Sequence, residues 1–279
     1  MNATPQTGPA TDDTGARPIQ KWYFAANLNG LRHAFDQIEV AVKSAKSKTT
    51  LRPYCLIDDH EDLSEVASRL NWLEKSGVSL IRHRAEFFDI VRQHFGPKVD
   101  VFSGHWLRSD IPILETEEEV VLYTDIDIMF RRDIDFSRAR PPFLACSPEH
   151  RQDDFSYFNS GVMIMNIPAL RDSRAMLMQV VKDRLDSMPP YDDQATFNVA
   201  YRDTWTRLPN LWNWKPYWGF NADAAIVHFH GPKPGMVRRM FGGEVDIYPP
   251  EYGEIFHRNP EGYAKYMAEF DEFLGTEVS

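Results

Sequence analysis

EVVLYTDIDIMF, residues Glu119 to Phe130, opens with a short continuous apolar run, Val120 to Tyr123, the pattern of a strand buried on both faces of a sheet. Asp125 and Asp127 follow where that run should pass into a loop. A spacing of two puts both carboxylates on one side of an extended backbone. Negative charge is thereby concentrated at the carboxyl end of a central strand, where open α/β sheets take their ligands. Two hard oxygen donors in this position suit Mg²⁺ or Mn²⁺ bound together with a substrate phosphate. A surface turn rich in Asp is the plainer account of the same residues.

The chain outward from this strand reads as α/β. Trp22 to Ala26 forms a first buried strand ending in Asn27-Leu28-Asn29-Gly30, read as a loop placed to touch a ligand. Phe35, Ile38, Val42 and Ala45 follow at helical spacing. Pro53 to Ile57 is a second strand, Ser64 to Lys75 a helix stopped by Gly77, and Val78 to Ile81 a third strand. Alternation of this kind predicts a mostly parallel sheet with right-handed crossovers and flanking helices. No Gly-x-Gly-x-x-Gly opens the first helix, so the dinucleotide fingerprint is missing.

Bulk properties bound the rest. The net charge of −10 argues against a general nucleic-acid binder, whose affinity rests on neutralising phosphates. Cys55 and Cys146 both lie in apolar runs and read as buried free thiols, and no apolar run approaches the ~20 residues of a membrane span. A cytoplasmic protein is the expectation. Residues 1–18 are Thr, Pro, Gly and Asp with little to bury and read as a disordered tail. Past Val245, Tyr263, Tyr266, Met267, Phe270, Phe273 and Leu274 fit one face of a closing helix. That helix is expected to pack on its own domain, with room for peripheral membrane contact.

Further polar groups gather at other strand and helix ends. Arg108 precedes the central strand, as a surface salt bridge or aimed at a diphosphate. In YFNSGVMIMN, Asn159 either fixes a loop or meets sugar hydroxyls. Asp192 and Asp193 begin a helix, and capping explains at least one of them. WNWKPYWGFN, residues 212–221, either packs a core or offers rings to a sugar face. In HFHGPKPG, His228, His230 and Lys233 lie at a strand's end, and only a histidine on the carboxylates' side could share their metal.

Taken together, YTDIDIMF, YFNSGVMIMN, DDQATFN and HFHGPKP resemble, in order, the motifs of glycosyltransferase family 8, and AANLN is similar to its first-strand loop. Gly30 and Gly235 depart from that pattern, standing where the family often has an aromatic and a tryptophan. The resemblance implies a GT-A (Rossmann-like) domain over residues 19–245, with 246–279 a small helical extension. It implies a retaining hexosyltransferase using a UDP-sugar donor and a saccharide or other hydroxyl acceptor. Asp125, Asp127 and His228 would bind Mn²⁺ or Mg²⁺. Asn27 and Asn29 would face the nucleoside, and Arg108, Gly231 and Lys233, with Asp125, the nucleotide's phosphates. Asn159, Asp193 and Gln194 would face sugar and acceptor, with Asp193, Gln194 and Lys233 as catalytic candidates. Front-side attack by the acceptor is the expected course, and Asp193 as a covalent nucleophile the alternative. Two rivals are a non-catalytic sugar-nucleotide binder and an Asp-x-Asp phosphohydrolase. The latter would start its sheet at the motif, whereas three predicted strands precede it here.

Overall fold

The computed structural model describes residues 18–136 and 139–276, so the tail expected over residues 1–18 lies, but for Pro18, outside the described residues. The first half alternates strand and helix: β1 (Lys21–Ala26), α1 (Leu28–His33), α2 (Phe35–Lys48), β2 (Arg52–Asp58), α3 (Ala67–Lys75), β3 (Ser79–His83) and α4 (Glu86–Phe95). Two short helices, α5 (Ser103–Trp106) and α6 (Ile111–Leu114), flank a 3-10 turn over Leu107–Asp110 and lead into β4 (Val120–Thr124) and β5 (Ile128–Phe130). The second half holds β6 (Leu144–Pro148), β7 (Phe158–Asn166), α7 (Ile167–Asp172), α8 (Arg174–Arg184), α9 (Asp193–Ala200), β8 (Thr206–Arg207) and β9 (Ile226–His228). Helices α10 (Pro234–Phe241), α11 (Pro250–Arg258) and α12 (Pro260–Gly275) follow.

Seven strands form one sheet in the order β3-β2-β1-β4-β7-β6-β8. It is parallel from β3 to β4 and antiparallel on both sides of β7. After β1 the chain builds outward to β2 and β3, then crosses to the other side of β1 to lay down β4. The crevice beyond the carboxyl ends of β1 and β4 is therefore the switch point where an open α/β sheet binds ligands.

Period-2 alternation fills both faces. Trp22, Phe24, Val120 and Leu122 join one buried cluster, with Ile38 and Val42 of α2, while Tyr23, Val121 and Tyr123 join the other, with Phe87, Phe88 and Val91 of α4. Trp22 also donates its indole N–H to Thr124 Oγ1 at 2.8 Å, so the ring costs no unpaired polar group. A third cluster joins Met129, Val227 and Phe229 to Tyr263, Tyr266, Met267 and Phe270 of α12. Phe273 and Leu274 are only partly buried against it.

One reading of the sequence needs correction. Asn27 to Gly30 is not a loop: Asn27 is the N-cap of α1, its Oδ1 accepting from Gly30 N at 2.9 Å. Asn at a strand end is also a strong helix-start residue, and that preference prevailed. The strand carrying His228 lies outside the central sheet: β9 pairs with β5 in a separate two-stranded sheet and bridges to Trp214 on its other side.

Candidate active site

A cleft of about 300 Å³ lies at the switch point, lined among others by Asn27, Asn29, Arg108, Asp125, Asp127 and Lys233. Asp125 and Asp127 belong to the turn between β4 and β5, and Asp125 N is fixed by the Gly161 carbonyl at 2.8 Å. His228, at the end of β9, brings Nε2 to 3.4 Å from Asp127 Oδ1 and 3.9 Å from Asp125 Oδ2. Donor atoms of all three residues lie within 4.8 Å of one another.

Three features make this donor set fit a divalent ion. His228 Nδ1 lies 3.0 Å from Asn213 Oδ1, so its N–H is engaged there and the Nε2 lone pair faces the carboxylates. Burial holds the His228 imidazole below its usual range, despite the nearby carboxylates, which favours the neutral ligand form. Gly161 supplies the room, since a Cβ there would stand 2.8 Å from Asp125 Oδ2 and 2.9 Å from His228 Nδ1.

Cations flank both carboxylates. Lys233 Nζ donates to Asp127 Oδ2, and Arg108 Nη1 donates to Asp125 Oδ1 at 3.0 Å. Burial alone would raise the Asp127 carboxyl, but Lys233 and His228 outweigh it and hold it far below the usual carboxylate range. Tyr123 adds an O–H to Asp125 Oδ1 at 3.1 Å, with the Arg108 guanidinium over its ring. Gly231 sits at φ +86°, where a side chain would be strained, at the turn that leads from β9 to Lys233.

The remaining named residues are more enclosed. Asp192 is the cap of α9, its Oδ1 accepting from Ala195 N, which leaves Asp193 to pair with Arg108 Nε. Asp193 is only 1% exposed. Gln194 Oε1 accepts from Ser160 N at 2.8 Å and from Asn159 Nδ2 at 3.2 Å. Asn159 also donates to Glu149 Oε2 and accepts from Asn213 Nδ2, both at 2.8 Å. Its amide is thus committed to fixing the site wall. Asn27 likewise spends its amide on α1 and on the Val101 carbonyl, whereas Asn29 is exposed at the mouth.

The tryptophans of 212–221 do not line this cleft: Trp214 and Trp218 pack edge to face at 5.4 Å, and Trp212 meets Phe136. Asp110, beside Arg108, turns away to pair with His83 and Arg174. Sequence reasoning did not single out Gly161, Tyr123 or Asn213 as site residues. Gly161 and Tyr123 stand inside the motif stretches, while Asn213 sits unmarked in an aromatic run.

Residues 144–234 match the family model described as Glycosyl transferase family 8. The fold is similar to that of galactosyltransferase LgtC in complex with donor and acceptor sugar analogues, at TM-score 0.63 and 19% identity, covering 93% of this chain and 97% of that one. It is also similar to glycosyltransferase GlyE of Streptococcus pneumoniae TIGR4 (apo form; TM-score 0.58, 18% identity, 92% of this chain and 64% of that). Mouse xyloside xylosyltransferase 1 follows at TM-score 0.53 and 15% identity, over 76% of this chain and 97% of that. No curated protein matches the chain by sequence. The resemblance read from the motifs is thus shown: the chain is similar to glycosyl transferase family 8 over residues 144–234 and has the GT-A fold, and together these support a glycosyltransferase.

Proposed function

We propose that this chain is a metal-dependent, retaining glycosyltransferase that moves a hexose from a UDP-sugar to a saccharide or other hydroxyl acceptor. The observation that carries this reading is the convergence of Asp125, Asp127 and His228 with Lys233 and Arg108 at the cleft beyond β1 and β4. Asp125, Asp127 and His228 would hold Mn²⁺ or Mg²⁺, which when bound supplies positive charge to the diphosphate leaving group. Similarity to a galactosyltransferase that binds donor and acceptor sugar analogues supports the donor–acceptor reading.

The chain's own groups divide the work. Asn27 sets the first turn of α1, and Asn29 and the α1 backbone offer the nucleoside its polar contacts. Arg108 orients Asp125 through its guanidinium. Lys233 leaves Asp127 as the phosphates arrive, and Gly231 lets its segment turn toward them. Its charge then meets negative charge building on the departing phosphate, as preorganised electrostatic stabilisation. Gln194, with its carbonyl oxygen anchored on Ser160, and Asn159 define the sugar side. Burial of Asp193 behind Arg108 disfavours it as a covalent nucleophile and supports front-side attack by the acceptor hydroxyl. Three strands, β1 to β3, precede the strand that ends in the Asp-x-Asp turn, which argues against the topology a phosphohydrolase needs. Two buried unpaired thiols, Cys55 and Cys146, support the cytoplasmic reading.

The test is a panel of UDP-sugars with Mn²⁺, following UDP release with and without saccharide acceptors. Release from one donor, accelerated by an acceptor, is the expected result. Binding of a UDP-sugar with no turnover under any acceptor would instead establish a non-catalytic sugar-nucleotide binder.

A further inference from the structure

Beside the Asp-x-Asp centre lies a second group of ligand-bearing side chains that the proposed reaction does not use. Glu149 and His150 follow the last residue of β6, and His230 lies two residues past the end of β9. Glu149 Oε1 stands 2.9 Å from His230 Nε2, and one donor atom from each of Glu149, His150 and His230 lies within 4.8 Å of the others.

Hydrogen-bond accounting orients the ring. Tyr217 donates its hydroxyl proton to the Glu149 carbonyl at 2.9 Å, so toward His230 Nδ1, 3.0 Å away, it can only accept. Nδ1 therefore carries an N–H, and Nε2 is the ring nitrogen turned to the Glu149 carboxylate. At 2.9 Å the two atoms share either a proton or a metal ion. This is also how a protein sets a metal-binding histidine, one ring nitrogen held by an oxygen and the other turned to the ion. Glu149 is held in turn, its Oε2 accepting from Asn159 Nδ2 at 2.8 Å. His150 is exposed and gives the group an open side.

We propose that Glu149, His150 and His230 form a second metal site, distinct from the Asp125/Asp127/His228 centre and selective for Zn²⁺ and similar borderline ions. Two imidazoles and one carboxylate are a zinc donor set, whereas Mn²⁺ and Mg²⁺ favour oxygen-rich ligands. The His228 and His230 rings are 5.7 Å apart, so the two centres are neighbours on one wall. An ion held here would pin Glu149, and through it Asn159 and Gln194, on the sugar side of the cleft.

Calorimetric titration of the full chain, stripped of metal, with Zn²⁺ and then Mn²⁺ tests the site without reference to turnover. Asp127→Asn should lose Mn²⁺ binding yet keep one Zn²⁺ per chain, and Co²⁺ should give that variant the visible absorption bands of imidazole-ligated cobalt. His150→Gln, at an exposed position that leaves folding intact, should weaken Zn²⁺ at least about tenfold, and His230→Gln by no less. Retention of wild-type Zn²⁺ affinity in both histidine variants would overturn the proposal, showing the group to be an ion pair only. So would loss of all Zn²⁺ binding in Asp127→Asn, which would place the zinc at the first centre.

Discussion

The two walls of the cleft are built on different principles. On the β1 side, Asn27, Asn29 and Gly30 come from one short segment, held by the local capping of α1. On the β7–β9 side, Gln194, Asn159, Asn213 and His228 come from four distant segments joined by a continuous run of amide hydrogen bonds. A locally built wall can lose one side chain and keep its shape. A networked wall transmits the loss, because each buried amide that forfeits a partner leaves another unsatisfied.

That contrast can be broken most forcefully at Gly161. Gly161→Ala would drive a methyl group into both His228 and Asp125, and turnover should fall by at least ~10²–10³-fold while the fold survives. Near-normal turnover would show the wall to be far softer than its contacts imply. Lys233→Ala is next: kcat should drop by roughly 10²–10³ with a smaller change in donor affinity, because the contact strengthens only as charge develops. Steady-state kinetics showing a pure KM defect would reduce Lys233 to a grip on the donor. Asn213→Ala removes the acceptor for His228 Nδ1–H and should weaken Mn²⁺ affinity by roughly 10–100-fold. Asn29→Ala, on the other wall, should leave Mn²⁺ affinity untouched, and equal metal defects in the two would erase the distinction between the walls.

The smallest expected effect on activity concerns Lys215, fully buried beneath the networked wall, with its Nζ donating to the Pro148 carbonyl at 2.8 Å. Burial pushes its pKa down from 10.5 to about 7. Below about pH 7 the folded chain must carry a buried charge that the unfolded chain carries in water. That cost fades as pH rises toward the ordinary lysine value. Thermal melts of Lys215→Met beside the parent chain should therefore show the parent losing ground at pH 6 and recovering part of it by pH 9. A difference independent of pH would mean that the ammonium is well accommodated.

Most of the fold was legible because apolar runs and their spacing mark strands and helices whatever they enclose. Val120 to Tyr123 reads as a central strand from its own residues, and Tyr263 to Phe270 as a buried helix face. The converging charged groups, Asp125, Asp127, His228 and Lys233, were legible because each stands at the end of such a run. What each polar group does there was less so. Asn27 is both a good loop residue and a good helix cap, and only the third dimension chose. Asn213, which holds His228, lies in a segment dominated by aromatic residues, and no spacing announces a hydrogen bond between residues 15 apart. The separate pairing of β9 with β5 was equally hidden, since a short apolar strand carries no mark of its partner.

The central claim is that metal and nucleotide bind as one unit at the Asp125/Asp127/His228 centre. Calorimetry of UDP binding to the unaltered chain, with Mn²⁺ and then with excess chelator, tests it most directly. The result expected is strong UDP binding with Mn²⁺ that weakens more than tenfold, by over ~1.4 kcal/mol, once the ion is removed. Equal UDP affinity in the two conditions would contradict the claim and leave Lys233 and Arg108 as the cleft's whole means of holding a diphosphate.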